Sequence, residues 1–257
     1  MRIVSWNIQQ GAAKRHPSIL SILRGMNPEL ICLSEFRSSP GSKAIAEGLL
    51  DGGWNHQLTT ADPNIPNRNA LLLASRTPLN PIPIPSFSVP HRFIAANLPE
   101  TNFSLALMHI PNRDEGFQAE FHAEVLEWMK SWSGGPCIAL GDTNTGIPGI
   151  DEEGKYFNKR EGSWMRSIRE SNWNDAWRHL NANQRVYSYR DSRSGNGFRI
   201  DHAFLNPEAL VTLRSVSYEW FPPSEGVAPS DHAALLLEFN AEALRNADYA
   251  TNFARSD

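Results

Sequence analysis

Polar side chains that could bind a cation or move a proton lie next to several apolar segments of this 257-residue sequence. A carboxylate beside an apolar segment is costly to bury unless it is paired or binds a cation. Taken singly, Asn7 could cap a turn, Glu35 could be a solvated strand end, and Asp142 could be an ordinary turn residue. Together, these carboxylate, amide and imidazole side chains favour a site that binds a cation and transfers protons. The residues are Asn7 after IVSW, Glu35 after LICLS, His109 after LALM, Asp142 and Asn144 after IALG, Asp201 within FRIDHAF, and Asp231 and His232 before AALLLEF.

Short apolar segments predict the strands that must position these residues. The segment LICLS is apolar almost without interruption, which is typical of a strand covered on both faces. The predicted strands are residues 2–8, 30–34, 70–75, 93–97, 103–109, 137–140, 200–205, 213–218 and 233–239.

Apolar residues at helical spacing predict two helices among these strands. Residues 16–27 carry Ile19, Ile22, Leu23 and Met26, and residues 115–132 carry an apolar face that begins at Phe117 and ends at Trp132. Five prolines in residues 76–91 predict an extended surface connector instead of a regular element. Strands and helices without strict alternation favour an α+β fold, most simply a sandwich of two sheets flanked by helices.

Composition and charge narrow the class of protein. Hydrophobic residues make up 40% of the chain, and no repeat or linker divides it, so we expect one domain over residues 1–239 and a tail over 240–257. The formal net charge of −4 argues against a polybasic protein. The start lacks a signal-peptide pattern, no apolar segment is long enough for a bilayer, and Cys32 and Cys137 read as buried free thiols. We therefore expect a soluble, cytoplasmic monomer that does not contact membranes.

Several motifs, in their order along the chain, resemble the endonuclease/exonuclease/phosphatase superfamily, also called the deoxyribonuclease-like fold, and most closely its exonuclease III-like branch. The resemblance covers nearly the whole chain up to about Phe239 and implies a four-layered α/β/β/α sandwich of two mixed sheets flanked by helices. It also implies phosphoester hydrolysis with a divalent cation, usually Mg²⁺, for which Mn²⁺ can substitute. The motifs are IVSWNIQQG, PELICLSEFR, NALLLASRTPL, LALMHIPN, IALGDTNTG, FRIDHAFLN and SDHAALLLEF.

The resemblance also implies a role for each polar residue. Glu35 would be the main metal ligand, with Asn7 and Asp231 as additional or alternative ligands. Asp142 would orient and deprotonate the attacking water, and Asn144 would position that water or the phosphate. His232 would contact the phosphate with support from Asp201, although some family members are described with this pair as the base.

Two positions depart from the exonuclease III-like pattern. His109 stands where those relatives usually have tyrosine, whereas deoxyribonuclease-type and several phosphatase or sphingomyelinase members have histidine. It could protonate the leaving oxygen or bind phosphate as an imidazolium, and Asn112 in HIPN could add a hydrogen bond. Gln9 stands where repair enzymes often have Asn or Asp, which weighs against an abasic-site specialist.

A basic, aromatic segment favours nucleic acid as the substrate. Residues 176–200 contain five arginines and one aspartate, a local charge of 5 − 1 = +4 in a chain of net charge −4. Arginines bind phosphates and aromatic rings stack on bases, so Tyr189, Arg190, Arg193 and Phe198 are candidate substrate-binding residues. We expect a nuclease that acts on DNA more than on RNA. A phosphatase or phosphodiesterase of a small or lipid phosphoester is the alternative, and a binding module without catalysis is disfavoured by the intact polar set.

Overall fold

The computed structural model describes residues 1–224, 226–240 and 242, so most of the predicted tail lies outside the described residues. The division into one domain and a tail stays a prediction. No helix among the described residues is long and apolar enough to cross a membrane. The strands are β1 Arg2–Asn7, β2 Leu30–Phe36, β3 His56–Thr59, β4 Ala70–Ser75, β5 Asn80–Pro81, β6 Phe93–Leu98, β7 Phe103–His109, β8 Cys137–Asp142, β9 Asn174–Asp175, β10 Tyr189–Arg190, β11 Gly197–Phe198, β12 Asp201–Leu205, β13 Leu213–Glu219 and β14 Ala234–Phe239; the helices are α1 His16–Met26, α2 Pro40–Asp51, α3 Gln118–Ser131, α4 Lys159–Glu170, α5 Ala176–Asn181 and α6 Pro207–Leu210.

Within the described residues, the strands form two six-stranded mixed sheets and a two-stranded ribbon of β10 and β11. The first sheet has the order β13-β14-β1-β2-β4-β3, and the second has the order β5-β6-β7-β8-β12-β9. The pairs β1–β2 and β7–β8 are parallel, and the other pairs within these sheets are antiparallel.

Alternating side chains along the central strands build a four-layered α/β/β/α sandwich. Ile3 of β1 packs between the two sheets, whereas its neighbour Val4 packs on the outer face against Leu23 of α1. The second sheet shows the same alternation, because Leu105 faces the inter-sheet core and Ala106 faces the outer layer with Phe121 of α3. The predicted fold class is confirmed, and strands buried on both faces explain why their sequences are continuously apolar.

Two expectations about local structure were wrong. Residues 76–91 are not only a surface connector, because Asn80–Pro81 forms an edge strand on β6 and Phe87 is buried in a stacked contact with Phe93. Proline is compatible with such an edge position because that strand side needs no N–H donor. The helix predicted from 115 begins at Gln118, and Phe117 lies outside the core with 58% exposure because its backbone is left-handed (φ 56°).

A buried ion network joins the segment before β12 to α5 and to the loop after β8. Arg199 is fully buried and donates from Nε to Asp151 Oδ1 at 2.8 Å and from Nη1 to Asp175 Oδ2 at 2.8 Å. Arg178 also pairs with Asp151. Burial alone would raise the pKa of Asp175, but Arg199 and His202 hold that pKa below its usual range. Arg178 and Arg199, two of the five arginines counted in residues 176–200, are therefore paired with buried carboxylates and do not add positive charge to a surface.

We expect Arg199→Met to destabilise the fold by about 3–5 kcal/mol, because the change leaves buried carboxylates without their main partner. Urea unfolding measures the free-energy difference. Arg185→Met is the matched control, since exposed Arg185 donates to a backbone carbonyl, that of Gly149, and pairs with none of the described carboxylates. We expect its effect to stay within about 0.5 kcal/mol. Equal stability of the two variants would show that the network does not hold these segments together.

Candidate active site

The polar residues predicted from the sequence meet at one end of the sandwich because the central strands end or begin there. The parallel strands β1 and β2 end near Asn7 and Glu35, and the parallel strands β7 and β8 end at His109 and Asp142. Antiparallel β12 begins at this end with Asp201. An open cleft of about 590 Å³ lies here, lined by a set that includes Glu35, His109, Asn112, Asp142, Asn144, Tyr189, Arg193, Phe198, Asp231 and His232.

Glu35 reaches the cleft through an irregularity in β2. The register of β2 on β4 shifts between Ser34 and Phe36, and Glu35 has a left-handed backbone (φ 55°). Its Oε2 accepts a hydrogen bond from the backbone N–H of Gln10 at 2.6 Å, and its Oε1 accepts one from Asn7 Nδ2 at 3.2 Å. The bulge therefore turns this carboxylate out of the strand alternation and fixes it at the cleft.

Asp142 is buried beside a second carboxylate. Its Oδ1 accepts a hydrogen bond from the Asn144 backbone N–H at 2.9 Å, and its Oδ2 accepts one from Asn7 Nδ2 at 2.9 Å. Burial and the charge of Asp201, its direct cross-strand partner, raise the pKa of Asp142 to about 7. The glycine before it is required, because a Cβ at Gly141 would lie 2.0 Å from the Met108 carbonyl oxygen. This close approach of β7 and β8 brings His109 beside Asp142.

His232 and Asp201 form a buried hydrogen-bonded pair. Nδ1 of His232 lies 2.8 Å from Asp201 Oδ2. Burial alone would lower the pKa of His232, but the carboxylates of Asp201, Asp142 and Asp231 raise it to about 10. Two serines position the pair: Ser188 Oγ accepts from the Asp201 N–H at 3.0 Å, and Ser230 Oγ accepts from the His232 N–H at 3.1 Å.

His109 is buried with its Nε2 atom 3.6 Å from Asp142 Oδ2. Burial, with the nearby cation Arg92, lowers the pKa of His109 well below its ordinary value. Its Nδ1 is buried, and none of the described residues forms a hydrogen bond with it. Both roles left open by the sequence need a protonated ring, so a neutral imidazole that only forms hydrogen bonds fits this environment better than either.

The two predicted asparagines occupy different places at the cleft. Asn144 donates from Nδ2 to the Ile110 carbonyl at 2.8 Å. Its backbone is left-handed (φ 46°), and its backbone N–H donates to Asp142. The side-chain oxygen of Asn112 accepts hydrogen bonds from the N–H groups of Asp114 and Glu115, so it also caps a short turn. Both residues line the cleft.

Asp231 belongs to the same cleft and is tied to the loop after β1. Its Oδ2 accepts a hydrogen bond from Gln9 Nε2 at 2.9 Å. Arg15 bonds the carbonyls of Gln9 and Pro229, and its guanidinium interacts with Asp231 and Glu35. The sequence did not single out Arg15, because its role depends on two loops that are distant along the chain.

Four of the five predicted substrate-binding residues, Asn112 among them, line the cleft, and Arg190 does not. Tyr189 contacts the His232 ring at a centroid distance of 5.0 Å, and Arg193 lines the opening. Phe198 lines the cleft but is only 9% exposed, because it packs with Phe157. Arg190 is not among the lining residues; it lies over Tyr187 and 3.5 Å from Glu153.

The loop after β8 supplies cleft residues that the sequence analysis missed. Glu153, Lys155 and Tyr156 line the cleft, and the sequence carries no periodic or motif signal for them. Ser230 is a different case, because its place in the SDH element could have indicated a positioning role.

The donor set fits a hard divalent cation. The carboxylates of Glu35, Asp142 and Asp231 line one cleft, and Asp201 lies beside them as the cross-strand partner of Asp142. Carboxylate oxygens are the ligands that Mg²⁺ and Mn²⁺ accept most readily in proteins. The pKa of Asp142, raised by burial and then by the charge of Asp201, is a second sign of fit, because a nearby cation would stabilise the buried, ionised carboxylate against both effects.

Solved structures with the same fold come from bacteria and archaea. The 3′ phosphatase NExo from Neisseria, bound to a product DNA hairpin, has a TM-score of 0.79 at 20% identity over 93% of this chain and 99% of that chain. The 3′-5′ exonuclease NExo from Neisseria meningitidis has a TM-score of 0.80 at 21% identity over 93% and 100%. An AP endonuclease from Archaeoglobus fulgidus has a TM-score of 0.79 at 18% identity over 93% and 99%. A search of curated proteins gives no match.

The family comparison agrees with the order of motifs and with the architecture. The profile of the Endonuclease/Exonuclease/phosphatase family matches residues 4–232, a span that runs from β1 to His232 of the cleft. With this match over most of its length and with the four-layered sandwich that carries the cleft, the chain belongs to the Endonuclease/Exonuclease/phosphatase family.

Proposed function

We propose that the chain is a divalent-metal-dependent phosphodiester hydrolase that cleaves nucleic acid, DNA in preference to RNA. The observation that carries the proposal is the meeting of Glu35, Asp142 and the Asp201–His232 pair at one cleft. The similar NExo structure holds a product DNA hairpin, which supports DNA as the polymer. The monomeric state and the cytoplasmic location inferred from the sequence stay predictions.

Asp142 is the general base in this proposal. A pKa of about 7 suits a group that must accept a proton from water near neutral pH. Hydrogen bonds from Asn144 and Asn7 hold both of its oxygens, so the carboxylate is oriented before the substrate arrives. Asn144 thereby acts on the position of the attacking water through Asp142.

His232 is a cation in this proposal and not the base. With a pKa of about 10, its imidazolium remains charged at neutral pH and can neutralise a non-bridging phosphate oxygen. Asp201 fixes the orientation and the charge of that ring through the 2.8 Å hydrogen bond. His109, which is neutral and next to Asp142, can hydrogen-bond the phosphate or the leaving oxygen.

The cation would be held mainly by Glu35, with Asp231 as a nearby oxygen ligand of the same cleft. Asn7 would be an oxygen ligand only with its amide turned over, because its Nδ2 donates to Glu35 and Asp142 and its Oδ1 accepts from the Gln9 N–H. Mg²⁺, or Mn²⁺ in its place, supplies Lewis-acid stabilisation of the charge that develops on the phosphate. Along the polymer, Arg193 and Asn112 offer donors to phosphates, and Tyr189 offers a partly exposed ring. Arg190 can add a phosphate contact only outside the cleft lining.

A small or lipid phosphoester is the second candidate substrate, and the acidic lining of the cleft favours those of low net charge. The lining contains the carboxylates of Asp114, Glu115, Glu153 and Asp191 in addition to the site residues, but only Lys155 and Arg193 as permanent cations. An acidic cleft attracts a long polyanion weakly. The substrate panel below therefore includes both classes.

The proposal predicts cleavage of DNA that requires a divalent cation. Purified protein is incubated with labelled single-stranded and duplex DNA, RNA, inositol phosphates and sphingomyelin, each with Mg²⁺, with Mn²⁺ and with EDTA. We expect DNA cleavage with either cation and none with EDTA. Release of product from only the small or lipid phosphoesters would select the second candidate, and metal-independent cleavage would contradict the mechanism.

Replacement of the base tests the role of Asp142 in the same assay. Asp142→Asn keeps the shape of the side chain and should lower kcat by about 10²–10⁴-fold, the range of general-base catalysis. Asp62→Asn is the matched control, because Asp62 does not line the cleft and pairs with Arg68. A near-normal kcat for Asp142→Asn in folded protein would remove Asp142 from the mechanism.

The charge of His232 can be measured directly by NMR of the histidine ring nitrogens. We expect His232 to titrate near pH 10 in the wild type and closer to its ordinary value in Asp201→Asn. Because the folded-state pKa lies above that of an unfolded histidine, the charged pair stabilises the fold fully below about pH 6.5 and loses this contribution as the pH rises through about 10. Titration of His232 near 6.5 in the wild type would contradict the assignment.

A further inference from the structure

Tyr156 is a large aromatic side chain that remains 47% exposed although it lines the cleft. It shares the cleft with Asp142 and His232 and comes from the loop that follows β8. An aromatic face open to water in the same cleft as the reacting groups is stabilised when a flat apolar group covers it. Its position therefore points to a ligand surface more than to packing.

The ring of Tyr156 is held in place on several sides. The Arg113 guanidinium carbon lies 4.7 Å from the ring centroid, and Phe157 and Phe198 meet the ring edge-on at centroid distances of 5.8 and 5.6 Å. Arg113 is itself fixed by a 2.7 Å ion pair with buried Glu161 and donates to the Tyr156 carbonyl at 3.1 Å. A ring held in this way loses little conformational entropy when a ligand stacks on it.

Tyr156 differs in exposure and contacts from the two aromatic residues that the sequence predicted to bind substrate, Phe198 and Tyr189. Phe198 is 9% exposed because it packs in a cluster with Phe157 and Ile200. Tyr189 packs against His232, so its ring belongs to the reacting end of the cleft. Tyr156 differs from both, because it is 47% exposed and the Arg113 guanidinium packs on its ring.

The charges around Tyr156 indicate the chemical class of the ligand. Asp114 and Glu115 follow Arg113 along the chain, and Glu153 and Lys155 come from the same loop as Tyr156; the three carboxylates and Lys155 all line the cleft. Glu115 pairs with Arg92, Glu153 lies 3.5 Å from Arg190, and Arg113 is engaged by Glu161. Because these charges are largely paired, the surface offers little net attraction to a phosphate. A neutral planar group, such as a nucleobase, suits the surface better than a phosphate or an inositol phosphate.

We propose that Tyr156, backed by Arg113, is a stacking platform for one nucleobase of the substrate. This inference rests on the proposed nucleic-acid function and adds a subsite to it. The platform binds a base beside the scissile phosphodiester without reading its identity, because every base offers a π face. It therefore contributes affinity and register along the strand, not sequence preference.

The test measures kcat/KM for an oligothymidylate with Tyr156→Leu and Tyr156→Phe. Base–aromatic stacking corresponds to an affinity change of about 5- to 150-fold. We expect Tyr156→Leu to lower kcat/KM by about fivefold or more, mainly through KM, and Tyr156→Phe to stay near the wild type because the ring remains. Trp220→Leu is the control, since Trp220 is 44% exposed and does not line the cleft.

A second set of substrates locates the stacked base. Single dihydrothymidines, whose saturated rings stack poorly, replace thymidines one position at a time. In the wild type we expect a loss at one position, and in Tyr156→Leu no further loss at that position, since the two changes remove the same interaction.

The outcomes separate the platform from the proposed function. If the wild type cleaves no oligonucleotide, the nucleic-acid function fails. If the wild type cleaves but Tyr156→Leu matches it, or Tyr156→Phe loses as much as Tyr156→Leu, the function stands and the stacking platform is wrong. A dihydrothymidine effect that persists unchanged in Tyr156→Leu would likewise overturn the platform.

Discussion

The repulsion between the buried carboxylates of Asp142 and Asp201 is the interaction around which the cleft is organised. They are direct cross-strand partners on β8 and β12, and both are almost fully buried. Such a pair is stable only when its charge is compensated. The compensation comes from the His232 imidazolium and from Asn7, and it leaves Asp142 with a pKa of about 7. A divalent cation held by Glu35 would complete the compensation of this negative charge. The same charges that the fold must balance would thus bind the cation that the proposed hydrolysis requires.

The architecture produces this concentration of charge through a small number of backbone features. Parallel pairing of β1 with β2 and of β7 with β8 places the ends of these four strands at one side of the sandwich. The bulge at Glu35 and the close approach at Gly141 then aim two carboxylates into the same space. The buried Arg199 network fixes the loop after β8 and the start of β12, so the interior that supports the site also carries its own paired charges.

The sequence revealed the strands and the cleft residues for one physical reason. Strands buried on both faces are apolar throughout, so a polar residue at their ends stands out, as Glu35 and Asp142 do. The residues it did not reveal depend on contacts between distant segments. In the sequence, Arg199 resembles a surface charge, and only the fold places Asp151 beside it. Tyr156 likewise resembles an ordinary loop tyrosine, and only the fold packs Arg113 on its ring.

The central claim, that this cluster holds a cation through Glu35, is tested most directly by titrating Mn²⁺ into the protein and following free Mn²⁺ by electron paramagnetic resonance. We predict that Glu35→Gln weakens Mn²⁺ binding at least about tenfold, the loss typical of even an outer-sphere partner. Asp191→Asn, a change to a half-buried carboxylate of the same cleft, should leave the affinity near that of the wild type. Equal Mn²⁺ affinity for the wild type and Glu35→Gln would contradict the claim.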